Sequence, residues 1–276
     1  MFTPQLTVLG AGLMGVGIAC HFARHGHAVR LYDTDPARIS EIPGVAAAIL
    51  RELEECQQFD AAQRTAVLSR LSGTTALGDL ADATLLIEAI PERLPLKHAL
   101  YRELETLIGD GAIIASNTSG LPPDRLAQGM RHPERLLIAH FWHPPHFIPL
   151  VEVVPGSATL PHLANQVSDF LSSCALEAVV LNRAAPGFVG NRLQFALLRE
   201  ALHIVKSGIA SPEVVDKVMR ASLGRRYAMV GSLVADKVAQ GATGARSGQG
   251  FYRWDETRQK RIQSRREHQQ RYALKP

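Results

Sequence analysis

The chain has only three cysteines in 276 residues, Cys20, Cys56 and Cys174, odd in number and far apart. That excludes a disulfide framework, points to a reducing cytoplasm, and leaves each cysteine as a small apolar core residue. Long apolar runs are missing too: none approaches the roughly 20 residues of a membrane span, so no membrane partner is expected. Met1-Phe-Thr-Pro4 leads straight into a β-prone run, so no secretion signal is expected. Charge of one sign does not dominate, since 30 Lys/Arg stand against 26 Asp/Glu for a net charge of +4. Much of the basic excess sits in residues 255–276, with seven Lys/Arg against three Asp/Glu. A basic surface attracts acidic ligands. Aromatic interleaving and any nucleic-acid module are absent, so nucleic acid is not an expected partner, and the tail reads as a solvated helix or a disordered end.

What is present is ordinary globular composition, 46% hydrophobic and 20% charged, in a chain long enough for two cores. The first 33 residues are the most informative. Gln5–Leu9 is a short strand, Gly10-Ala-Gly12-Leu13-Met14-Gly15 is a glycine turn, Val16–Arg24 is a helix, and Ala28–Tyr32 is a second strand ending in Asp33. This order suits a dinucleotide. Gly10 permits the tight turn, Gly12 lets the backbone approach a pyrophosphate, and Gly15 lets the helix pack on the sheet. The helix N-terminus offers free N–H groups to phosphate. A carboxylate at Asp33 accepts from a ribose 2′-hydroxyl and repels a 2′-phosphate, which favours NAD over NADP. Asp35 reads as an N-cap before Pro36.

Strand and helix alternate onward. Residues 36–71 read as two helices joined by Gln57–Asp60. Ala83–Ile90, Gly111–Ala115, Leu136–Ala139, Leu150–Val154 and Glu177–Leu181 read as strands, with helices at Leu94–Ile108 and Pro161–Ser173. The pattern predicts an α/β fold, a Rossmann-type doubly wound sheet over residues 1–184. After Ala184-Ala-Pro-Gly187 no strand-like run appears. A smaller all-helical C-terminal domain is expected over 185–254, with a helix at Asn191–Lys206 and another capped by Ser211 before Pro212.

Three segments carry candidate chemistry. Ser116-Asn117-Thr118-Ser119 follows a buried strand, where open α/β sheets bind ligands; its plainer reading is a polar turn. His140 closes a strand, and Glu152 lies inside the next one between Val151 and Val153. A carboxylate in so apolar a strand needs a partner, and His140 is the candidate. The pair makes a His–Glu general base, or else a structural pair holding a bend. Asn191 opens a helix near the domain junction, where it orients a substrate oxygen or serves only as an N-cap. Glu88, Glu92 and Lys97 follow the fourth strand; Glu92 and Lys97 pair near a nicotinamide or form a loop salt bridge. His140, His143 and His146 are separated by Pro144-Pro145, which prevents a helix from aligning the rings, so no metal site is expected.

Taken together, Gly10-x-Gly12-x-x-Gly15, Leu85-Leu-Ile-Glu-Ala-Ile-x-Glu92 with Lys97, Ala115-Ser-Asn-Thr-Ser119, His140-Phe-Trp-His-Pro144, Leu150-Val-Glu-Val153, Pro186-Gly-Phe-x-x-Asn-Arg192 and Gly248-x-Gly-Phe-Tyr252 resemble the 3-hydroxyacyl-CoA dehydrogenase family. The resemblance implies NAD as cofactor, held by Gly10, Gly12, Leu13, Met14, Gly15, Asp33, Glu92, Lys97 and Asn117. It implies His140 as base, Glu152 as its partner, and Ser119 and Asn191 as ligands of the substrate oxygen. It implies oxidation of the secondary alcohol of a 3-hydroxyacyl-CoA in fatty acid metabolism, by a homodimer. Two departures stand out. His143 replaces an Asn usual in the family, and Pro145–Pro149 resembles relatives that act on smaller compounds, such as carnitine dehydrogenase, the lambda-crystallin/gulonate dehydrogenase group and a pyridine-carboxylate dehydrogenase of vitamin B6 breakdown. A small hydroxy acid or hydroxymethyl or formyl pyridine-carboxylate is therefore the alternative substrate, and a non-catalytic dinucleotide-binding protein the third reading. The run from Tyr227–Gly231 directly into Lys237–Tyr252 implies a helical domain shorter than its relatives'.

Overall fold

A computed structural model of the chain describes residues 2–224. The Gly248–Tyr252 motif, the shortening after Gly231 and the basic tail lie outside the described residues. Eight strands form one sheet: β1 (Leu6–Leu9), β2 (Val29–Tyr32), β3 (Leu71–Thr74), β4 (Leu85–Glu88), β5 (Ile113–Ser116), β6 (Leu136–Phe141), β7 (Leu150–Pro155) and β8 (Glu177–Val180). Their order is β3-β2-β1-β4-β5-β6-β7-β8. Every neighbouring pair is parallel except β6 and β7. The helices are α1 (Leu13–Arg24), α2 (Pro36–Glu55), α3 (Arg64–Leu68), α4 (Leu94–Leu104), α5 (Pro123–Leu126), α6 (Pro161–Ser173), α7 (Gly190–Lys206) and α8 (Pro212–Val218), with a π-helical turn at Met219–Leu223. The chain divides into two compact units after Phe195.

The near-continuous apolar strands mean a sheet covered on both faces. Alternate residues of one strand enter different cores. Leu85 and Ile87 join Ile18 of α1, Leu50 of α2 and Val167 of α6 in one cluster. Leu86 joins Tyr101 and Leu104 of α4 and Leu126 of α5 in the other. Each such leucine contributes about 1.5–3 kcal/mol by leaving water. Strand order reverses between β2-β1 and β4, so the carboxyl ends of β1 and β4 frame a crevice.

Asp35 caps α2 as its sequence implies, its Oδ1 accepting from Ala37 N at 2.9 Å. Ser211 precedes α8, but its hydroxyl donates to Glu213 Oε2 rather than capping the backbone. Residues 36–71 form the two expected helical segments, α2 and a short second one ending in α3, joined across Gln57–Asp60. α3 is one short turn, and β3 follows as the sheet edge with Ser72 and Gly73 exposed. An edge strand without an apolar run leaves no periodic trace. β7 runs antiparallel because only residues 142–149 connect it to β6, too few for a parallel crossover of a dozen or more.

Candidate functional site

The site begins at the glycine turn. Gly10 has a φ of +98°, and a Cβ there would lie 2.8 Å from Ala89 O. A Cβ on Gly15 would lie 1.8 Å from Gly10 O, so α1 can start this close to β1 only without one. Asp33 closes β2 and supports the turn from beside it: its Oδ2 accepts from Ala11 N at 2.9 Å and its Oδ1 from Asp35 N at 3.1 Å. Gly10, Gly12, Leu13, Met14 and Asp33 line a cavity of about 640 Å³ with Ile90 across it. The first N–H groups of α1 lack intrahelical partners by position, and Gly12 caps them with no side chain. A cavity of this size, a bare helix N-terminus and a carboxylate at the end of β2 fit a dinucleotide. Gly15 lies beneath the turn rather than on the cavity wall.

Glu88 ends β4 fully buried, and four groups hold it. Lys97 Nζ donates to Oε1 at 2.6 Å and Ile90 N to the same oxygen at 2.9 Å. Tyr101 Oη and Ser116 Oγ donate to Oε2 at 2.6 and 2.7 Å. Burial, and then the Glu88 carboxylate beside it, push the Tyr101 hydroxyl well above its ordinary range, so it stays a donor. Lys97 is thus committed to Glu88, and Glu92 Oε2 stands farther off at 3.7 Å. Glu92 spends its other oxygen on the Thr118 hydroxyl and on Gly120 N, tying the loop after β4 to the loop after β5. Glu92 and Lys97 brace these loops from outside the cavity wall. The sequence pairs Lys97 with Glu92; only the packing of α4 on β4 reveals Glu88 as the nearer partner.

His140 and Glu152 are Cα partners across β6 and β7. His140 Nδ1 lies 3.0 Å from Glu152 Oε2. The carboxylate is 1% exposed and the imidazole 6%. Glu152 Oε1 accepts from Val189 N at 2.8 Å and Gly190 N at 3.0 Å, where α7 begins. Burial pushes this carboxyl up, but the bonds from His140, Gly190 and Val189 outweigh it and hold the group below the usual carboxylate range. An ionised Glu152 accepts from His140 Nδ1, and in the neutral ring that tautomer carries its lone pair on Nε2. Phe188 and Trp142 flank the imidazole, with ring centroids 5.4 and 5.3 Å away.

A second cavity of about 560 Å³ brings together His140, Asn117, Ser119 and Asn191. Met14 lines both cavities. Asn117 is half committed to architecture, since its Oδ1 accepts from Phe141 N at 2.8 Å. Trp142, His143 and Phe195 complete the wall, and among the described residues no Lys or Arg lines it. Gly190 is a further requirement: a Cβ there would lie 2.2 Å from Trp142 Cζ2. The sequence marks Trp142 as a motif member but gives no sign that it touches Gly190.

Comparison with known proteins places the chain among relatives of one family. Residues 5–184 match the 3-hydroxyacyl-CoA dehydrogenase NAD binding domain, and residues 187–233 match the C-terminal domain of the same group. The 5-formyl-3-hydroxy-2-methylpyridine 4-carboxylate 5-dehydrogenase of Mesorhizobium japonicum is 35% identical, over 83% of this chain and 74% of its own. An L-carnitine dehydrogenase of Oceanobacillus iheyensis is 34% identical, over 88% of this chain and 78% of its own. The crystal structure of FadB2 from M. tuberculosis superposes with a TM-score of 0.76 at 29% identity, covering 92% of this chain and all of that one.

Proposed function

The chain belongs to the 3-hydroxyacyl-CoA dehydrogenase family, and from that premise we propose that it oxidises the alcohol of a small polar hydroxy compound, with His140 as general base. It is an NAD-dependent dehydrogenase acting on CH–OH groups. The observation that carries the residue roles is the buried His140–Glu152 pair on the wall of a cavity shared with Ser119 and Asn191.

In this reading Glu152 holds the imidazole in one tautomer, and Nε2 takes the hydroxyl proton as the carbon is oxidised. Ser119 and Asn191 hydrogen-bond the substrate oxygen and orient the carbinol C–H. In the reverse direction the protonated ring donates to the ketone. NAD supplies the hydride acceptor when bound. Gly10, Gly12, Leu13, Met14 and Asp33 hold it. Gly15 makes the turn possible, Glu92 and Lys97 brace the adjoining loops, and Asn117 sets the end of β5 beside it.

The preference for a small compound rests on relatives at 34–35% identity that are named for carnitine and a pyridine carboxylate. A cavity of about 560 Å³ with Asn117, Ser119, Asn191 and His143 on its wall suits a compact polar molecule. A second reading, a 3-hydroxyacyl-CoA in fatty acid metabolism, is supported by the apolar wall of Met14, Phe141, Trp142 and Phe195. NAD reduction measured with 3-hydroxybutyryl-CoA beside free hydroxy acids, carnitine and a hydroxymethyl pyridine-carboxylate separates the two. Turnover confined to the thioester overturns the first.

The same reading carries an NAD-binding domain at 1–184, a helical domain at 185–254 and a basic tail at 255–276. It carries a homodimer, supported by Leu193, Leu198 and Leu202 exposed along α7. It also carries a cytoplasmic location, supported by three free cysteines.

A further inference from the structure

The dinucleotide cavity is lined by three carboxylates, Asp33, Asp35 and Glu103, and by one cationic side chain among the described residues, Arg38. Phosphate is an odd guest for such a wall unless the cation serves it. Arg38 stands in the first turn of α2, exposed. Its Nη1 lies 3.3 Å from the place a Cβ of Gly12 would occupy. The guanidinium therefore covers the residue that caps α1. Its acidic neighbours are engaged elsewhere: Asp33 accepts from Ala11 N and Asp35 N, and Asp35 from Ala37 N. None of the ion pairs among the described residues includes Arg38.

We propose that Arg38 is a specificity-determining ligand of the dinucleotide's pyrophosphate, reaching it over Gly12 while the N-terminus of α1 supplies backbone N–H groups. The inference rests on NAD being the cofactor. A planar guanidinium matches phosphate oxygens in pairs, and charge-assisted bonds of this kind are the strong ones. The cation also offsets the repulsion between the three carboxylates and the phosphates. A 2′-phosphate is the competing partner, since an arginine near the end of β2 serves that role in NADP enzymes. Here the guanidinium covers Gly12, and it is Asp33 that stands where the ribose is expected.

The test measures dissociation constants of NAD, ADP-ribose and NADP by calorimetry on the full chain, for wild type, R38A, R38Q and R38K. R51A is the control, removing the same charge from an exposed site on the same helix. R38A and R38Q weaken NAD and ADP-ribose by about tenfold or more, R38K by less, and R51A leaves both unchanged. Wild-type affinity for ADP-ribose in R38A and R38Q overturns the proposal. So does a loss confined to NADP, which assigns Arg38 to a 2′-phosphate, or an equal loss in R51A, which reduces the effect to net charge. ADP-ribose binding needs no substrate, so failure here is distinct from failure of the substrate assignment.

Discussion

Glu152 holds His140 with one carboxylate oxygen and the start of α7 with the other, Nδ1 to Oε2 at 3.0 Å and Gly190 N to Oε1 at 3.0 Å. One buried charge thus sets the imidazole and the helix that carries Asn191. H140A is expected to lower kcat by about 10²–10⁴-fold with NAD affinity unchanged, as read by turnover and by calorimetry. E152Q keeps an acceptor for Val189 and Gly190 but loses the charge, so kcat falls while the melting temperature changes little. E152A removes the acceptor of the Val189 and Gly190 N–H groups and lowers both. Near-normal turnover in H140A removes the imidazole from its role.

Gly190 makes a second test, one independent of titration. A Cβ there meets Trp142 at 2.2 Å, so either the indole or the first turn of α7 must shift. G190A is expected to cut kcat/KM for the substrate by about tenfold or more, since small displacements of positioned groups are costly. Its NAD affinity stays at wild type. A variant with unaltered kcat/KM shows that the cavity tolerates the shift.

The Glu88–Lys97 pair is structural in its surroundings, with side chains 0% and 1% exposed. Removing one partner of a buried pair typically costs about 3–5 kcal/mol. K97M should therefore lower stability in urea titrations by several kcal/mol, and E88Q/K97M should recover much of the loss. A single variant as stable as wild type would mean that Tyr101, Ser116 and Ile90 N suffice for the carboxylate.

Acid should begin to destabilise the protein below about pH 6.5, through His21. Burial lowers His21 from 6.5 to about 4, the bond to Cys174 O offsetting this only in part. The unfolded chain binds that proton first, so stability is full above pH 6.5 and declines as pH falls toward 4, by roughly 3 kcal/mol for this one group. Glu152, whose folded value lies below its ordinary one, contributes above that ordinary value and loses its contribution as pH falls through the folded one. Melting temperatures of wild type and H21Q between pH 7 and 4 check this: H21Q should show the shallower decline. Parallel curves would mean that other groups carry the acid sensitivity.

Much of the site is local enough to be legible before any coordinates. Gly10, Gly12 and Gly15 act through steric limits of one turn, and Asp33 through its place at a strand end. Glu152 announces itself because a carboxylate between valines has to find a partner. What the sequence left out is non-local. β3 is an edge strand recognised only by its pairing with β2, and Lys97, which stands 3.7 Å from Glu92 as its spacing suggests, also meets Glu88 because α4 packs over β4.

Composition, periodicity and the order of glycine turn, strand and acid determined the fold class and the cofactor, because these depend on residues close together in the chain. Tertiary structure alone decided which oxygen of Glu152 meets His140, that the other meets Gly190, that Trp142 forbids a side chain at that glycine, and that Arg38 lies over Gly12. Each of these joins residues distant in the chain, and contacts of that kind exist only once the sheet has brought its strand ends together.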